Sequence, residues 1–193
     1  MKDNKESGAL ATKGAKVVAE GCHTSGNNAG FWAQEEGVMV LTQCLSNRDV
    51  AGAGASSGGS LTAESLTAER ATRDGVRVFN QGTVELKKSS LMRCSQDGAW
   101  VSGTGSVLRV VHCGMRENSR FGILAEKGGD VTCEGGKSWG NKEGGFGCAA
   151  RSFMSLRRCI SRKETAYEVD PTGQIVFEIC QPSSNMGYFK RRA

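Results

Sequence analysis

The sequence predicts an all-β solenoid, a parallel β-helix of about seven rungs of 22–24 residues, and three observations predict it. Glycine fills 27 of 193 positions, about twice the usual ~7%, while proline fills 2. Such a composition excludes collagen, and with 38% apolar residues it is unlike a chain too polar to fold. The second observation is a register: a glycine followed by an apolar-x-apolar triplet recurs at Gly30, Gly52, Gly75, Gly98, Gly122 and Gly145, then at Ala166, with spacings of 22, 23, 23, 24, 23 and 21. The third is a second series in step with it, at Gly14, Gly37, Gly59, Gly82, Gly105, Gly129 and, after one rung without it, Gly173.

Each glycine opens a short alternating run. After the first series stand Phe31-Trp32-Ala33, Val76-Arg77-Val78, Ala99-Trp100-Val101 and Ile123-Leu124-Ala125. After the second stand Val38-Met39-Val40, Leu61-Thr62-Ala63, Val84-Glu85-Leu86, Val107-Leu108-Arg109-Val110, Val131-Thr132-Cys133 and Ile175-Val176-Phe177. Alternation with period two is the pattern of a half-buried strand, and glycine between runs supplies a positive φ or room for a close approach. A unit of this length cannot bury its own apolar face, so consecutive units stack, like strand on like strand, at about 4.8 Å per rung. Leu61 to Thr72 carries helix-forming residues at helical spacing, but its place in the glycine register makes it a rung. Leucine-rich, hexapeptide and propeller repeats lack the required motif or period. The strands fall in one domain, residues 7–181, between an N-terminal tail, 1–6, and a basic C-terminal tail, 182–193.

The eight cysteines, at 22, 44, 94, 113, 133, 148, 159 and 180, include no Cys-x-x-Cys, and His23 and His112 offer no paired ligand spacing. The gaps near 22 read instead as columns of reduced, inward-facing thiols, Cys22 over Cys44 and Cys159 over Cys180.

The rung Val107-Leu-Arg-Val-Val-His-Cys113-Gly-Met-Arg-Glu-Asn118-Ser-Arg-Phe-Gly122-Ile-Leu-Ala125 resembles the right-handed, pectin-lyase-like β-helix repeats, with a small residue or Cys after the second strand, then Asn, then the turn glycine. The resemblance spans residues 7 to 181 and implies a right-handed coil. It does not imply one function, because this fold hosts lyases, hydrolases, epimerases, adhesins and interaction domains.

The leading expectation is a non-catalytic interaction or scaffold domain whose rigid face meets a protein or an acidic polysaccharide, with no catalytic residue, no metal and no cofactor. The alternative is a carbohydrate-active enzyme of polysaccharide lyase or uronate epimerase type, or a decayed relative, for which calcium is the implied cofactor. Its candidates are Asp74 and Asp97, each one residue before a register glycine and 23 apart, which stacking brings within reach of one cation or splits into an acid and a base. Tyr167-Glu168-Val169-Asp170-Pro171-Thr172 further resembles the Tyr-x-x-Asp-Pro-His motif of mannuronan C5-epimerases, so Tyr167 and Asp170 join that set. Thr172 stands where that family has its histidine, which removes half of the acid–base pair.

The formal charge is +5, and residues 151–193 hold eight Lys and Arg against four Asp and Glu. Arg151, Arg157, Arg158, Arg162 and Lys163 are the predicted binding cluster for an acidic partner. Nucleic acid is not expected, because the 12 aromatic residues do not interleave with the basic runs along the chain. Neither a stretch of eighteen apolar residues nor an export signal is visible, so no membrane insertion is expected and a cytoplasmic location is favoured unless the chain is a fragment.

Overall fold

The computed structural model describes residues 1–162, 167–182 and 190–191. Its strands stack in three parallel sheets that coil through about seven turns, and no helix occurs among the described residues. The first sheet holds nine strands, from Ser7–Ala11 and Ala29–Ala33 through Ala51–Ala55, Val76–Phe79, Ala99–Ser102, Phe121–Glu126 and Gly144–Cys148 to Tyr167–Val169 and Lys190–Arg191. The second holds eight, from Lys16–Glu20 to Gln174–Glu178, and the third eight shorter ones, from His23–Ser25 to Gln181–Pro182. The two glycine series open the first and second sheets, as the register predicts. The third strand of each rung carries no glycine signal of its own. Leu61 to Thr72 is a rung: strands Ser60–Glu64 and Thr67–Glu69 are joined at Ser65, whose φ is +58°.

Every coil turns from the second to the third sheet through one left-handed residue, at Gly21, Gln43, Ser65, Lys88, His112, Gly135, Arg158 and Ile179. Only two of these are glycine, although an L side chain pays for that conformation. The register glycines answer a different need. Gly52 does not have a positive φ, yet a Cβ there would lie 2.5 Å from the Gly75 carbonyl and 2.8 Å from the Ala68 side chain. Glycine holds this column because successive rungs close tightly at the corner.

Inside, like residues form columns. Phe31, Ala53, Val76, Ala99, Ile123, Phe146 and Tyr167 lie in register in the first sheet, and Met39, Leu61, Val84, Leu108, Val131 and Met154 in the second; all are buried. All eight cysteines are free, six buried and two half-buried. Cys22, Cys44, Cys113, Cys159 and Cys180 share one position, just before a third-sheet strand. There the thiols of Cys44, Cys113, Cys159 and Cys180 donate to carbonyls of an earlier rung, Ala19, Leu86, Cys133 and Leu156, at 3.2–3.5 Å. The column thus uses cysteine as a small apolar residue with a weak donor.

A polar ladder runs up the next corner. Asn4, Asn27, Asp49, Ala71, Cys94, Asn118 and Asn141 occupy it, and carboxamide or backbone N–H groups donate to the Oδ1 one rung on: Asn27 to Asp49 at 2.7–2.8 Å, Asn118 to Asn141 at 2.8–3.0 Å. Fully buried Asp49 also accepts from Thr24 and Ser46 Oγ. Residues 1–6, expected as a tail, lie along this corner: Asp3 N–H donates to Ser25 O and Asn4 joins the ladder. Of the expected C-terminal tail, Pro182 and Lys190–Arg191 are in strands.

Candidate functional site

Two residues past each register glycine, the first sheet turns a side chain outward. Stacking places these positions in one column, Trp32, Gly54, Arg77, Trp100, Leu124 and Gly147. Phe79, two residues past Arg77, heads a second column. The Trp32 and Phe79 ring centroids are 5.8 Å apart, those of Phe79 and Trp100 6.2 Å, and the Arg77 guanidinium carbon sits 4.8 Å from the Trp100 ring and 5.5 Å from that of Phe79. Arg77 is thereby held by cation–π attraction in a half-buried site. Trp32 lies across Gly54, where a Cβ would be 2.4 Å from the indole, and its Nε1 donates to Ser56 Oγ at 3.3 Å.

This face opens a hollow of about 520 Å³, lined among others by Leu10, Trp32, Arg73, Arg77 and Phe79. A smaller one, about 160 Å³, follows towards the C-terminal rungs, lined by Arg120, Leu124, Glu126, Glu143 and Asp170. These aromatic and basic residues are far apart in the chain, and no basic run marks them. The glycine-plus-two position was the signal that could have found Trp32, Arg77 and Trp100.

Asp74 and Asp97 border this face and are stacked: Asp97 N–H donates to Asp74 Oδ1 at 3.1 Å. They are 2% and 0% exposed. Arg77 Nε lies 3.3 Å from Asp74 Oδ2, an ion pair outside hydrogen-bond geometry. Phe121 N–H donates to Asp97 Oδ1 at 2.9 Å and Arg120 to its Oδ2 at 3.2 Å. Burial raises both carboxyls, Asp97 to about 7, against the pull of these N–H groups and arginines. The pair, a cation or acid–base site only under the enzyme alternative, is bonded across three rungs and ties them together. Among the described residues no three His, Cys, Asp or Glu side chains group as a metal site.

Tyr167 and Asp170 are not brought together. Tyr167 is 7% exposed, packed in the core 5.9 Å from Phe146 and 4.4 Å from Phe177, and burial raises its phenol far above the ordinary value. Asp170 closes a turn, accepting from Thr172 N–H and Oγ1 at 2.8 Å, Gly173 N–H at 2.9 Å and Ala150 N–H at 2.7 Å. Period-two alternation puts residues 167 and 169 inward, and the turn begins at 170, so the motif's two ends serve different sides of the wall.

The predicted basic cluster is likewise spread around the coil. Arg151 sits at the corner between the first and second sheets, Arg157 on the second, Arg158 at the next corner and Arg162 on the third; Lys163 lies outside the described residues. Arg157 is compensated from both neighbouring rungs, 3.3 Å from Glu178 and 3.9 Å from Glu134. A rung encircles the coil, so neighbours in sequence end on different faces.

Residues 51–189 match a family model described as a right handed beta helix region. Neither a curated protein nor a solved structure matches the chain.

Proposed function

We propose, from the premise that this chain belongs to the right-handed β-helix family, that it is a non-catalytic binding domain whose first-sheet face holds an acidic polysaccharide. The observation that carries this reading is the Trp32–Phe79–Arg77–Trp100 cluster beside the 520 Å³ hollow. Apolar ring faces stack on aromatic side chains, and Arg73 and Arg77 supply guanidinium groups for a carboxylate of the same sugar. Stacked rungs keep these groups in fixed register, so little ordering is needed on binding. A carbohydrate-active enzyme would need a free acid–base pair on this face. Asp74 and Asp97 are committed to backbone and arginine bonds, and Tyr167 to the core.

The test is titration calorimetry with an oligogalacturonate, with the ultraviolet absorbance of an unsaturated uronate followed in the same samples. Binding without new absorbance is expected, weakened roughly fivefold or more by Trp100→Ala, as loss of about 1 kcal/mol of ring contact requires. Absence of binding refutes the ligand class. A rising unsaturated product refutes the non-catalytic reading in favour of a lyase.

A further inference from the structure

The solenoid begins on an open sheet edge. Lys16–Glu20 is the first strand of the second sheet and pairs with Val38–Thr42 on one side, so among the described residues its other side meets no strand. The third sheet's first strand is covered instead: Lys2 bridges to Ser25, Asp3 N–H donates to Ser25 O and the Met1 amine to His23 O. Val38 N–H donates to Ala15 O and Gly21 N–H to Thr42 O, both at 2.9 Å. By period two, residues 15, 17, 19 and 21 therefore aim their backbone groups at Val38–Thr42, and Lys16, Val18 and Glu20 aim theirs off the end of the coil. The core is half open here as well, with Val17 and Cys22 partly buried, and Val18 on the outer face is 67% exposed.

This edge strand, Lys16-Val17-Val18-Ala19-Glu20, is complementary to itself when reversed. Laid antiparallel on a second copy and centred on Val18, it sets Lys16 opposite the partner's Glu20, Glu20 opposite the partner's Lys16, and Val18 opposite the partner's Val18. Directly opposed residues on the hydrogen-bonded positions of an antiparallel ladder exchange both N–H···O bonds, and these positions are the ones whose backbone groups point outward. A slip of one residue would oppose outward groups to inward ones, and a slip of two would part the charges. On the inner side Val17 meets the partner's Ala19, which closes the open end of the core. Stacking copies head to tail is less well matched. The coil's own register, continued onto the far edge strand Gln174–Glu178, sets Glu20 against Glu178, and like charges directly opposite repel.

We infer that the edge strand Lys16–Glu20 is a docking surface for a second copy of this chain, which it joins in a two-fold dimer with the second sheet continuous across the pair. An unpaired edge is a template for strand addition, and a lysine on it ordinarily keeps other chains away. Here Glu20 answers that lysine across the two-fold axis, so the guard against other strands becomes a selector for this one. A two-fold interface uses the same patch on both copies, and the assembly closes at two. The polysaccharide reading of the first-sheet hollow neither requires this contact nor follows from it.

The experiment is sedimentation velocity of the full chain across micromolar concentrations, with circular dichroism to monitor folding. A species of twice the 20.4 kDa chain mass is expected, with nothing larger as concentration rises. Lys16→Glu and Glu20→Lys each set like charges opposite one another twice per dimer and should each weaken association about tenfold or more. Mixing the two variants should restore the dimer, because each then faces the opposite charge. Val18→Pro removes the central N–H, which a single copy leaves unpaired, and should give a monomer with unchanged circular dichroism. Arg109→Glu, exposed further along the same sheet, and Trp100→Ala, in the first-sheet hollow, should leave the dimer intact. The last variant separates this edge from the polysaccharide face. Should Val18→Pro prove unfolded, the two charge variants and their mixture decide. A monomer at every concentration, a dimer indifferent to the charge variants, no recovery on mixing, or species that grow beyond a dimer overturns the inference.

Discussion

Asn118 is the point at which the corner ladder can be broken with the clearest outcome. It is fully buried; its Oδ1 accepts the Cys94 N–H at 3.0 Å, and its Nδ2 donates to Asn141 Oδ1 at 2.8 Å and to Leu91 O at 3.3 Å. Asn118→Ala removes all three bonds. The Cys94 N–H is then left without an acceptor in a dry corner, costing about 1–3 kcal/mol, while Asn141 Oδ1 keeps the residue-118 N–H and loses only one of its donors. With about 1 kcal/mol for each of the other two bonds, the loss is about 3–5 kcal/mol. In a chain of this size that lowers the melting temperature by roughly 10 °C. Urea unfolding followed by far-ultraviolet circular dichroism measures it, with exposed Asn28→Ala as the control expected to stay within about 0.5 kcal/mol. A rung contacts only its neighbours, so a fall in the m-value would mean that the coil parts at this rung. A loss under about 1 kcal/mol with the m-value unchanged would refute the view that the ladder holds the corner.

Other measurements follow from the same geometry. Asp97, raised to about 7 chiefly by burial, binds its proton more tightly folded than unfolded, so the stability it contributes is full below about pH 4 and lost as pH rises through 7. Asp97→Asn should therefore gain on the parent protein in urea midpoint between pH 5 and pH 8, and a pH-independent difference would contradict the assignment. Gly54→Ala would push a methyl against the Trp32 ring and the Arg77 carbonyl, both under 2.5 Å away, so a loss of about 1–3 kcal/mol and a shifted tryptophan emission are expected. An unchanged emission spectrum would show that the indole does not lie across residue 54. Thiol titration should find eight free cysteines after denaturation but fast labelling only of half-buried Cys22 and Cys180 in the native protein, where burial raises Cys94 to about 12 and Cys148 to about 11. Quick native labelling of Cys94 or Cys148 would contradict the packed core.

Everything that repeats is legible in the chain before it folds. Stacking equivalent positions converts a one-dimensional period into a fold, so the glycines at 30, 52, 75, 98, 122 and 145 announced the rungs, the first two sheets and the cysteine column. The helix-like residues from Leu61 to Thr72 yielded to that register, because pairing with rungs on both sides outweighs local preference. The third strand and its left-handed corner left little trace, since three residues and one strained position can be filled by many side chains. Tertiary structure alone decided which side of the wall each charged group serves. It sent Tyr167 into the core, scattered Arg151, Arg157, Arg158 and Arg162 around the coil, and turned Asp74 and Asp97 into ties between rungs. It also gathered Trp32, Arg77, Phe79 and Trp100, which the chain keeps up to 68 residues apart. The physical reason is the coil's geometry: neighbours in sequence travel around a rung to different faces, whereas residues one period apart meet at about 4.8 Å.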